Sequence, residues 1–375
     1  MDLDEEERAK GKTIEVGRAN FETPSKRYTI FDAPGHANYV PNMIMGAAMS
    51  DIGGLVISAK KGEFESGFEK GGQTIEHAIL ARCLGIEKLI ILVNKMDENS
   101  VKWSQERFQQ IKVDLSKFLK KFYDEKNIKF IPISGLLSLN VAFRVDKAIC
   151  SWYDGPCLFE LFDQAEPPFR NDTGNLRIPV MDRIRISGLF IFGKVIQGTA
   201  KIGSKVMIMP TKEIYEIQAI LNDLDHLIPY AKSGENIKFK LKGLEDENLI
   251  SRGNIVCGGD AQCPIFDTFK AKIDVVRLIK EKPIIAKGYN CMMHIHSAAE
   301  EVEFQEVEEI DPLTKAKKPN KYLKEGSVGE CIIKVNKPIC GEKAELNPFL
   351  GKFTLRDAGI TIAFGSIFKY KPLGK

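Results

Sequence analysis

Three short polar motifs in the N-terminal part of the sequence have the residue types needed to bind a nucleotide. Each motif directly follows a run of apolar residues, so each is expected at the end of a strand. The motifs are Asp32-x-x-Gly35-His36, Asn94-Lys95-Met96-Asp97 and Ser134-Gly135-Leu136. Either of the first two is common by chance, whereas all three in this order after successive strands form a specific signal.

The second motif suits the recognition of guanine. The carboxylate of Asp97 can accept two N–H bonds from the N1 and N2 edge of guanine, and adenine lacks this pair of donors. Asn94 would tie its loop to the base, and the stem of Lys95 would lie along the ring face. A backbone N–H in the segment Ser134-Gly135-Leu136 would meet the guanine oxygen. Taken alone, Asp97 could equally be a helix N-cap or a turn residue.

The first motif suits a terminal phosphate and its metal ion. Asp32, after an apolar strand, can hold a metal-bound water of Mg²⁺. Gly35 exposes a backbone N–H close to the γ-phosphate, where a side chain would block the approach. We therefore expect GTP or GDP, together with Mg²⁺, as the cofactors of the complete protein.

The elements around these motifs indicate a doubly wound α/β sheet. The runs at 52–60, 87–95 and 127–134 are rich in β-branched residues and do not alternate, as is typical of parallel strands covered on both faces. Helical patterns at 73–85 and 104–123 separate them, the first with a start signal at Thr74. Because the carboxyl ends of parallel strands meet at one edge, the motifs should share that edge.

The periodicity changes after a linker at 162–175 that is rich in Pro, Asp and Asn. Short strands then follow one another, with glycine turns at Gly188, Gly193, Gly198 and Gly203, which favours antiparallel barrels. A second β-rich unit starts near Cys263. We predict a GTPase domain at 1–170, a β-barrel at 171–262 and a second β-barrel at 263–375.

Composition excludes several other classes of protein. The eight cysteines are scattered singly without a C-x-x-C pair, which favours buried thiols in a reducing compartment over a zinc site. The sequence has no apolar run long enough to span a membrane, and its charged start is unlike a secretory signal. We expect a soluble cytoplasmic protein with neither a membrane nor a specific DNA sequence as a partner.

The chain resembles the translational GTPases, and most closely the GTP-binding subunits of eukaryotic peptide chain release factors, also called class II release factors. The resemblance covers essentially all 375 residues. It is carried by stretches such as "APGHANYVPNMI", "GFEKGGQTIEHA", "VNKMD", "MMHIHSAAEEVE" and "GKFTLRDAGITIA". It implies GTP hydrolysis in translation termination, with a class I release factor and the ribosome as partners.

The resemblance also implies roles for individual residues. Thr13 would contact Mg²⁺ and the γ-phosphate, and His36 would position the attacking water, so these two residues and Gly35 are the expected catalytic set. His294 and His296 alternate along a predicted strand and should share one face. We favour a packing role for this pair over a metal site.

One part of the family pattern is missing from the sequence. The family begins its GTPase domain with a strand, a phosphate-binding loop and a helix, and no G-x-x-x-x-G-K-[ST] occurs in the 375 residues. Losing even five charge-assisted bonds to phosphate would cost about 7 kcal/mol, or a factor on the order of 10⁵ in affinity. We therefore expect this polypeptide to bind GTP poorly and to be inactive. We also expect two unpaired strand edges and a loosened region at residues 1–60.

Two alternatives stay open from the sequence. The chain could be a ribosome-rescue GTPase, which belongs to the same family. It could instead be a nucleotide-independent adaptor that uses its barrels to hold a tRNA-shaped release factor. The Asn94–Asp97 motif favours a GTPase, because an adaptor has no use for it, and the missing phosphate-binding loop favours the adaptor.

Overall fold

The computed structural model describes residues 16–35, 40–68, 72–120, 122–185, 188–259, 261–311, 313–314 and 316–373. The chain divides into two compact units, residues 1–168 and 169–375, and each is described by itself.

The first unit alternates strands and helices, as predicted. Its strands are β1 (Gly17–Glu22), β2 (Arg27–Asp32), β3 (Ile52–Ser58), β4 (Lys88–Asn94) and β5 (Ile128–Pro132). Its helices are α1 (Val40–Met49), α2 (Glu63–Phe68), α3 (Gln73–Cys83), α4 (Gln105–Leu119) and α5 (Leu158–Gln164), with a 3₁₀ turn at Glu125–Asn127. Among the described helices of the chain, none is both long and apolar enough to cross a bilayer.

Strand β4 is the centre of a parallel sheet in the order β3-β4-β5. One face of β4 packs with α4, and its other face, through Ile90 and Leu92, packs with Leu158 and Leu161 of α5. Burial on both faces explains why its sequence does not alternate. The same prediction is wrong for β3, because the side chain of Val56 is 60% exposed.

Strands β1 and β2 form a separate antiparallel hairpin. Among the described strands, β2 pairs only with β1, and β3 pairs only with β4. One edge of β2 and one edge of β3 therefore carry no described partner, as expected from the sequence.

A clasp holds the hairpin to α5. The hydroxyl groups of Thr23, Ser25 and Tyr28 donate to the same carboxylate oxygen of Asp163, at 2.6, 2.7 and 3.0 Å. The Lys26 ammonium donates to the carbonyl oxygens of Asp163 and Ala165, at 2.7 and 2.6 Å, where the end of a helix attracts a cation. Beside these bonds the ring of Phe21 stacks on those of Tyr28 and Phe159, with centroid separations of 4.8 and 4.9 Å. The expected loosening of residues 1–60 stays a prediction, and this clasp opposes it.

The second unit consists of two closed six-stranded antiparallel barrels, which confirms the predicted fold class. The first barrel is built from β6 (Arg177–Arg185), β7 (Leu189–Lys194), β9 (Lys205–Met209), β10 (Glu213–Leu221), β12 (Asn236–Leu241) and β13 (Ile255–Gly258), with the ribbon β8 (Thr199–Lys201) and β11 (Tyr230–Lys232). Its strand order is β10-β12-β7-β6-β13-β9.

The second barrel is built from longer strands. They are β14 (Ile265–Val275), β16 (Asn290–Ile295), β17 (Ala298–Ile310), β19 (Val328–Cys340), β20 (Lys352–Asp357) and β21 (Ile360–Tyr370), with the ribbon β15 (Ile285–Ala286) and β18 (Tyr322–Leu323). The strand order of this second barrel is β14-β19-β17-β16-β20-β21, and a short helix α6 (Pro348–Gly351) precedes β20. The core of the second barrel contains four buried phenylalanines: Phe266, Phe269, Phe304 and Phe353. In the first barrel, a 3₁₀ turn at Glu247–Leu249 precedes β13.

The prediction that His294 and His296 share a strand face is wrong. Strand β16 ends at Ile295, and His296 adopts a left-handed conformation with φ of +42° in the following turn. Its ring is buried and lies 3.0 Å from the carbonyl oxygen of Cys340. Within the described part of the chain, no group of three or more His, Cys, Asp and Glu side chains could hold a metal ion. The buried ring is compatible with the packing role favoured from the sequence, which stays a prediction.

Several element boundaries differ from the predicted ones. Helix α3 begins at Gln73, after Gly72 as N-cap, and α4 ends at Leu119. Helix α5 extends three residues into the predicted linker and ends at Gln164. Strand β1 and helix α1 were not predicted.

We predict that the substitution Asp163→Ala releases the β1–β2 hairpin. Three hydroxyl groups lose their common acceptor, which should lower the local stability of the hairpin by about 1–3 kcal/mol. Amide exchange in residues 27–32 should therefore become roughly ten- to hundredfold faster. Hydrogen-exchange mass spectrometry measures this change. Asp163→Asn keeps an acceptor oxygen and should have a smaller effect, and Asp154→Ala, at an exposed site in the same unit, should have none. Unchanged exchange in Asp163→Ala would show that the clasp does not hold the hairpin.

We also predict a pH dependence of stability that is due to His296. Burial lowers the pKa of this ring from its usual 6.5 to about 4, so the folded state keeps it neutral while the unfolded state takes up a proton. Its contribution to the free energy of unfolding is present above pH 6.5 and should decrease by about 3 kcal/mol as the pH falls to 4. Urea unfolding of the wild type and of His296→Asn, which tolerates the left-handed backbone, measures the difference in slope. His226→Asn, at an exposed site, is the control, and equal slopes for His296→Asn and the wild type would refute the assignment.

Candidate functional site

The loops that follow β3, β4 and β5 lie together at the carboxyl edge of the parallel sheet. The backbone N–H of Ala59, after β3, donates to the carbonyl of Asn94 at 2.8 Å. The N–H of Met96, after β4, donates to the carbonyl of Ile133 at 3.2 Å. Two of the three sequence motifs are thereby brought to one edge, as the parallel topology requires.

The side chain of Asn94 joins two of these loops. Its oxygen Oδ1 accepts from the backbone N–H of Lys95 at 2.7 Å and from that of Gly135 at 2.8 Å. A Cβ atom at Gly135 would lie 3.4 Å from the Asn94 amide, which shows how closely the two loops approach each other. Lys95 adopts a left-handed backbone with φ of +61°, which turns the chain sharply after the strand.

The carboxylate of Asp97 is half-buried at this edge, and no described residue hydrogen-bonds it. The Asp97 side chain is therefore neither a helix cap nor part of an ion pair within the described chain. A carboxylate whose two oxygens accept no hydrogen bond from the described residues, three positions after Asn94, fits a ligand that presents two adjacent N–H groups.

Lys95 is held by an acidic partner that sequence analysis missed. Its ammonium lies 2.6 Å from Glu63 of α2, and Lys60 lies 3.3 Å from the other oxygen of the same carboxylate. Hydrogen bonds from Lys95, Ser58 and Lys60 lower the pKa of Glu63 to about 2. The two side chains of this pair are 48% and 39% exposed, and no spacing in the sequence pairs residue 63 with residue 95.

The N–H groups of the segment 134–136 are not equivalent. Ser134 is buried, and its N–H donates to the carbonyl of Leu139 at 3.1 Å. The N–H of Gly135 is engaged by Asn94, and that of Leu136 has no described acceptor. The side chain of Leu136 is 88% exposed, so its backbone lies at the rim of the site.

The predicted phosphate motif is described only in part. Asp32 is the half-buried last residue of β2, and Gly35 is exposed. The ring of His77 on α3 hydrogen-bonds the backbone of Gly35, and burial lowers the pKa of this histidine. The predicted catalytic residues Thr13 and His36 lie outside the described residues.

Comparison with protein families gives a match over more than half of the chain. Residues 1–229 match the family described as "Elongation factor Tu GTP binding domain", and residues 268–368 match "GTP-eEF1A C-terminal domain-like". The chain belongs to the elongation factor Tu GTP-binding domain family.

Within this family the chain is similar to release factor subunits. It is 43% identical over 373 residues to the "Eukaryotic peptide chain release factor GTP-binding subunit" of Candida albicans, covering 98% of this chain and 52% of that protein. It is 42% identical to the protein of the same description from Dictyostelium discoideum, covering 98% and 67%. The resemblance inferred from the sequence is confirmed. The chain spans about half the length of the first of these relatives.

Solved structures of the family agree with the fold. The chain resembles a structure described as sup35 complexed with GDP, with a TM-score of 0.50 and 36% identity over 95% of this chain and 84% of that one. A Ski7 GTPase-like domain of S. cerevisiae, bound to GTP, has a TM-score of 0.76 with 16% identity over 98% of this chain and 85% of that chain, which shows a shared fold alone.

We predict that Asn94→Ala separates the two loops. The N–H of Gly135 loses its acceptor, which should cost about 1–3 kcal/mol of local stability. The exchange rate of this amide should therefore rise roughly ten- to hundredfold. Amide exchange at Gly135, followed by NMR, measures the effect. Asn94→Asp is the matched control, since a carboxylate oxygen can accept both N–H bonds. Protection that survives in Asn94→Ala would contradict the role of the side chain.

Proposed function

We propose that the chain is part of the GTP-binding subunit of a translation termination factor, which hydrolyses GTP in the cytoplasm. The observation that carries the proposal is the Asp97 carboxylate, which no described residue hydrogen-bonds, close in sequence to the Asn94 side chain that joins two loops, in a chain 43% identical to a release factor subunit. The proposed partners are a class I peptide chain release factor and the ribosome, and the two barrels are the proposed docking surface for the release factor.

The geometry supports a specific way of choosing the base. In this proposal, the carboxylate of Asp97 accepts the two N–H bonds of guanine, and the Lys95 stem, anchored by Glu63, covers one face of the ring. The N–H of Leu136, for which no acceptor is described, would donate to the guanine oxygen, while that of Gly135 stays bound to Asn94. Adenine presents an acceptor, N1, and an apolar C2–H at the corresponding edge, so it would leave both carboxylate oxygens unpaired.

For the motif Asp32-x-x-Gly35-His36, we propose a role in binding the phosphates. Asp32 and Thr13 would hold Mg²⁺, which neutralises charge on the phosphates when it is bound. The position of Asp32, half-buried at a strand end, fits a carboxylate that holds a metal-bound water. Gly35 would donate its N–H to the γ-phosphate, and His36 would orient the attacking water. Because the 375 residues contain no G-x-x-x-x-G-K-[ST], we propose that this polypeptide alone binds GTP weakly and turns it over slowly.

The substitution Asp97→Asn tests the choice of base. An Asn amide donates where the carboxylate accepted, so it should reject guanine and accept xanthine, which carries an oxygen in place of the 2-amino group. Losing two charge-assisted bonds should weaken GTP binding by about 10²–10⁴-fold. Binding of fluorescent guanosine and xanthosine triphosphates should be measured on the protein expressed with any coding sequence upstream of Met1.

Two outcomes would overturn parts of the proposal. Equal binding of both nucleotides by the wild type and by Asp97→Asn would remove Asp97 from the base site. Failure of the longer wild-type protein to bind GTP at all would favour the nucleotide-independent adaptor. Asp97→Ala is the matched control, since it should lose guanosine binding without gaining xanthosine binding. Pull-down of the class I release factor, compared with its ribosome-rescue counterpart, tests the partner separately.

A further inference from the structure

The loop that carries Asp97 is closed by a backbone hydrogen bond at its base. Met96, the residue before Asp97, is fully buried, and its backbone is held on two sides. Its N–H donates to the carbonyl of Ile133 after β5 at 3.2 Å, and its own carbonyl accepts the N–H of Trp103 at 2.7 Å. The carbonyl of Met96 belongs to the planar peptide group that it shares with Asp97. The bond from Trp103 therefore holds the chain directly before the candidate base-binding residue.

The loop closes through a strained turn. Lys102 and Trp103 both have left-handed backbones, with φ of +48° and +51°. The N–H of Lys102 donates to the carbonyl of Glu98 at 2.9 Å, and its side chain is exposed. Neither left-handed residue is a glycine or an asparagine, so this conformation costs both of them free energy. Such strain persists only where the surrounding structure holds it, and it is frequently found at functional sites.

A second tryptophan holds the strained turn. The indole N–H of Trp152 donates to the carbonyl oxygen of Trp103 at 2.6 Å, although the two residues are 49 positions apart. The ring of Trp103 is 7% exposed and lies in the apolar core of the first unit. The ring of Trp152 packs on Phe108 of α4, with a centroid separation of 5.2 Å. Trp103 is thereby fixed at its N–H, at its carbonyl and at its ring.

The contact between the two tryptophans is a second link between the segments that form the proposed base site. Trp103 lies in the segment that follows β4, and Trp152 lies in the segment that follows β5. The side chain of Asn94 joins these segments where they begin, and the indole of Trp152 joins them close to where they end. Asp97 lies on the chain between the two links. A segment held at both ends has less conformational freedom to lose on binding than one held at its start alone.

We propose that Trp152 is a positioning residue for guanine recognition, an inference that rests on the function proposed above. Its indole N–H holds the carbonyl of Trp103, the strained turn stays closed, and the closed turn keeps the peptide group before Asp97 in place. The carboxylate then meets the two N–H groups of guanine without being ordered at the moment of binding, which is how a preorganised site gains affinity. Trp152 acts through the backbone of Trp103 and Met96 and does not itself contact the base.

The substitution Trp152→Phe tests the proposal on the whole 375-residue chain. Phenylalanine keeps an aromatic ring against Phe108 but has no N–H, so the carbonyl of Trp103 loses its donor. We expect the amide of Trp103 to exchange roughly tenfold faster and guanosine to bind roughly tenfold more weakly. NMR on the isotope-labelled chain measures both quantities, the second by titration with guanosine, which is suited to weak binding.

A second substitution separates positioning from simple packing. Glycine adopts the left-handed conformation without strain, so Lys102→Gly should make the turn less dependent on the indole N–H. In the double variant Trp152→Phe/Lys102→Gly, guanosine binding should recover towards the wild-type value. Lys102→Ala is the matched control, because it removes the same exposed charge but keeps the strain. The double variant Trp152→Phe/Lys102→Ala should therefore bind guanosine as weakly as Trp152→Phe.

The wild-type chain gives a test that needs no variant. If the closed turn binds guanosine more tightly than the open turn does, guanosine must stabilise the closed turn by the same factor. Saturation with guanosine should then slow the exchange of the Trp103 amide and of the Trp152 indole N–H. The chain contains two tryptophans, so only two indole signals have to be assigned. Exchange that bound guanosine leaves unchanged would overturn the proposal.

The remaining outcomes distinguish this proposal from the proposed function. If Trp152→Phe bound guanosine as tightly as the wild type, the positioning role would be wrong and the base site at Asp97 would stand. Equal recovery with glycine and with alanine at position 102 would show that relief of strain is not the cause. A wild type that binds no guanosine would contradict the base site itself, and the role of Trp152 with it.

Discussion

The hydrogen bonds accepted by one amide oxygen organise the candidate site. Oδ1 of Asn94 accepts the N–H of Lys95 and the N–H of Gly135, so the loops after two neighbouring strands are held at a fixed distance. The chain turns at Lys95, which has a left-handed backbone with φ of +61°, and Asp97, whose carboxylate no described residue hydrogen-bonds, follows two residues later. An alanine at position 94 would leave a backbone donor without a partner and the two loops without a common support.

The second unit is held together by its two barrel cores and by a buried ion pair between the barrels. Its barrels have separate apolar cores, and each closes without free edges in the main sheet. They meet at a seam that contains the buried ion pair of Arg177 and Glu342. Breaking one partner of such a pair is costly because the other charge stays buried, so the pair favours a single arrangement of the seam.

The main elements could be predicted because local patterns determine them. Strands β4 and β5 are continuous apolar runs, the glycine turns indicate the barrels, and the Asn94–Asp97 motif directly follows its strand. Strand β1 was missed because its residues are mostly polar and only half-buried. The pairing of Lys95 with Glu63 could not be predicted, since it depends on where α2 lies relative to β4. The histidine prediction failed because strand β16 ends one residue before His296, in a turn that no pattern in the sequence indicates.

The central claim is that the edge held by Asn94 presents Asp97 to the N1 and N2 groups of guanine. A crystal structure of this chain with guanosine, which needs no phosphate-binding loop, tests it most directly. We predict that both N–H groups of the base lie within hydrogen-bond distance of the Asp97 carboxylate, with the Lys95 stem along one face of the ring. A base bound elsewhere, or an Asp97 carboxylate turned towards the protein, would contradict the account.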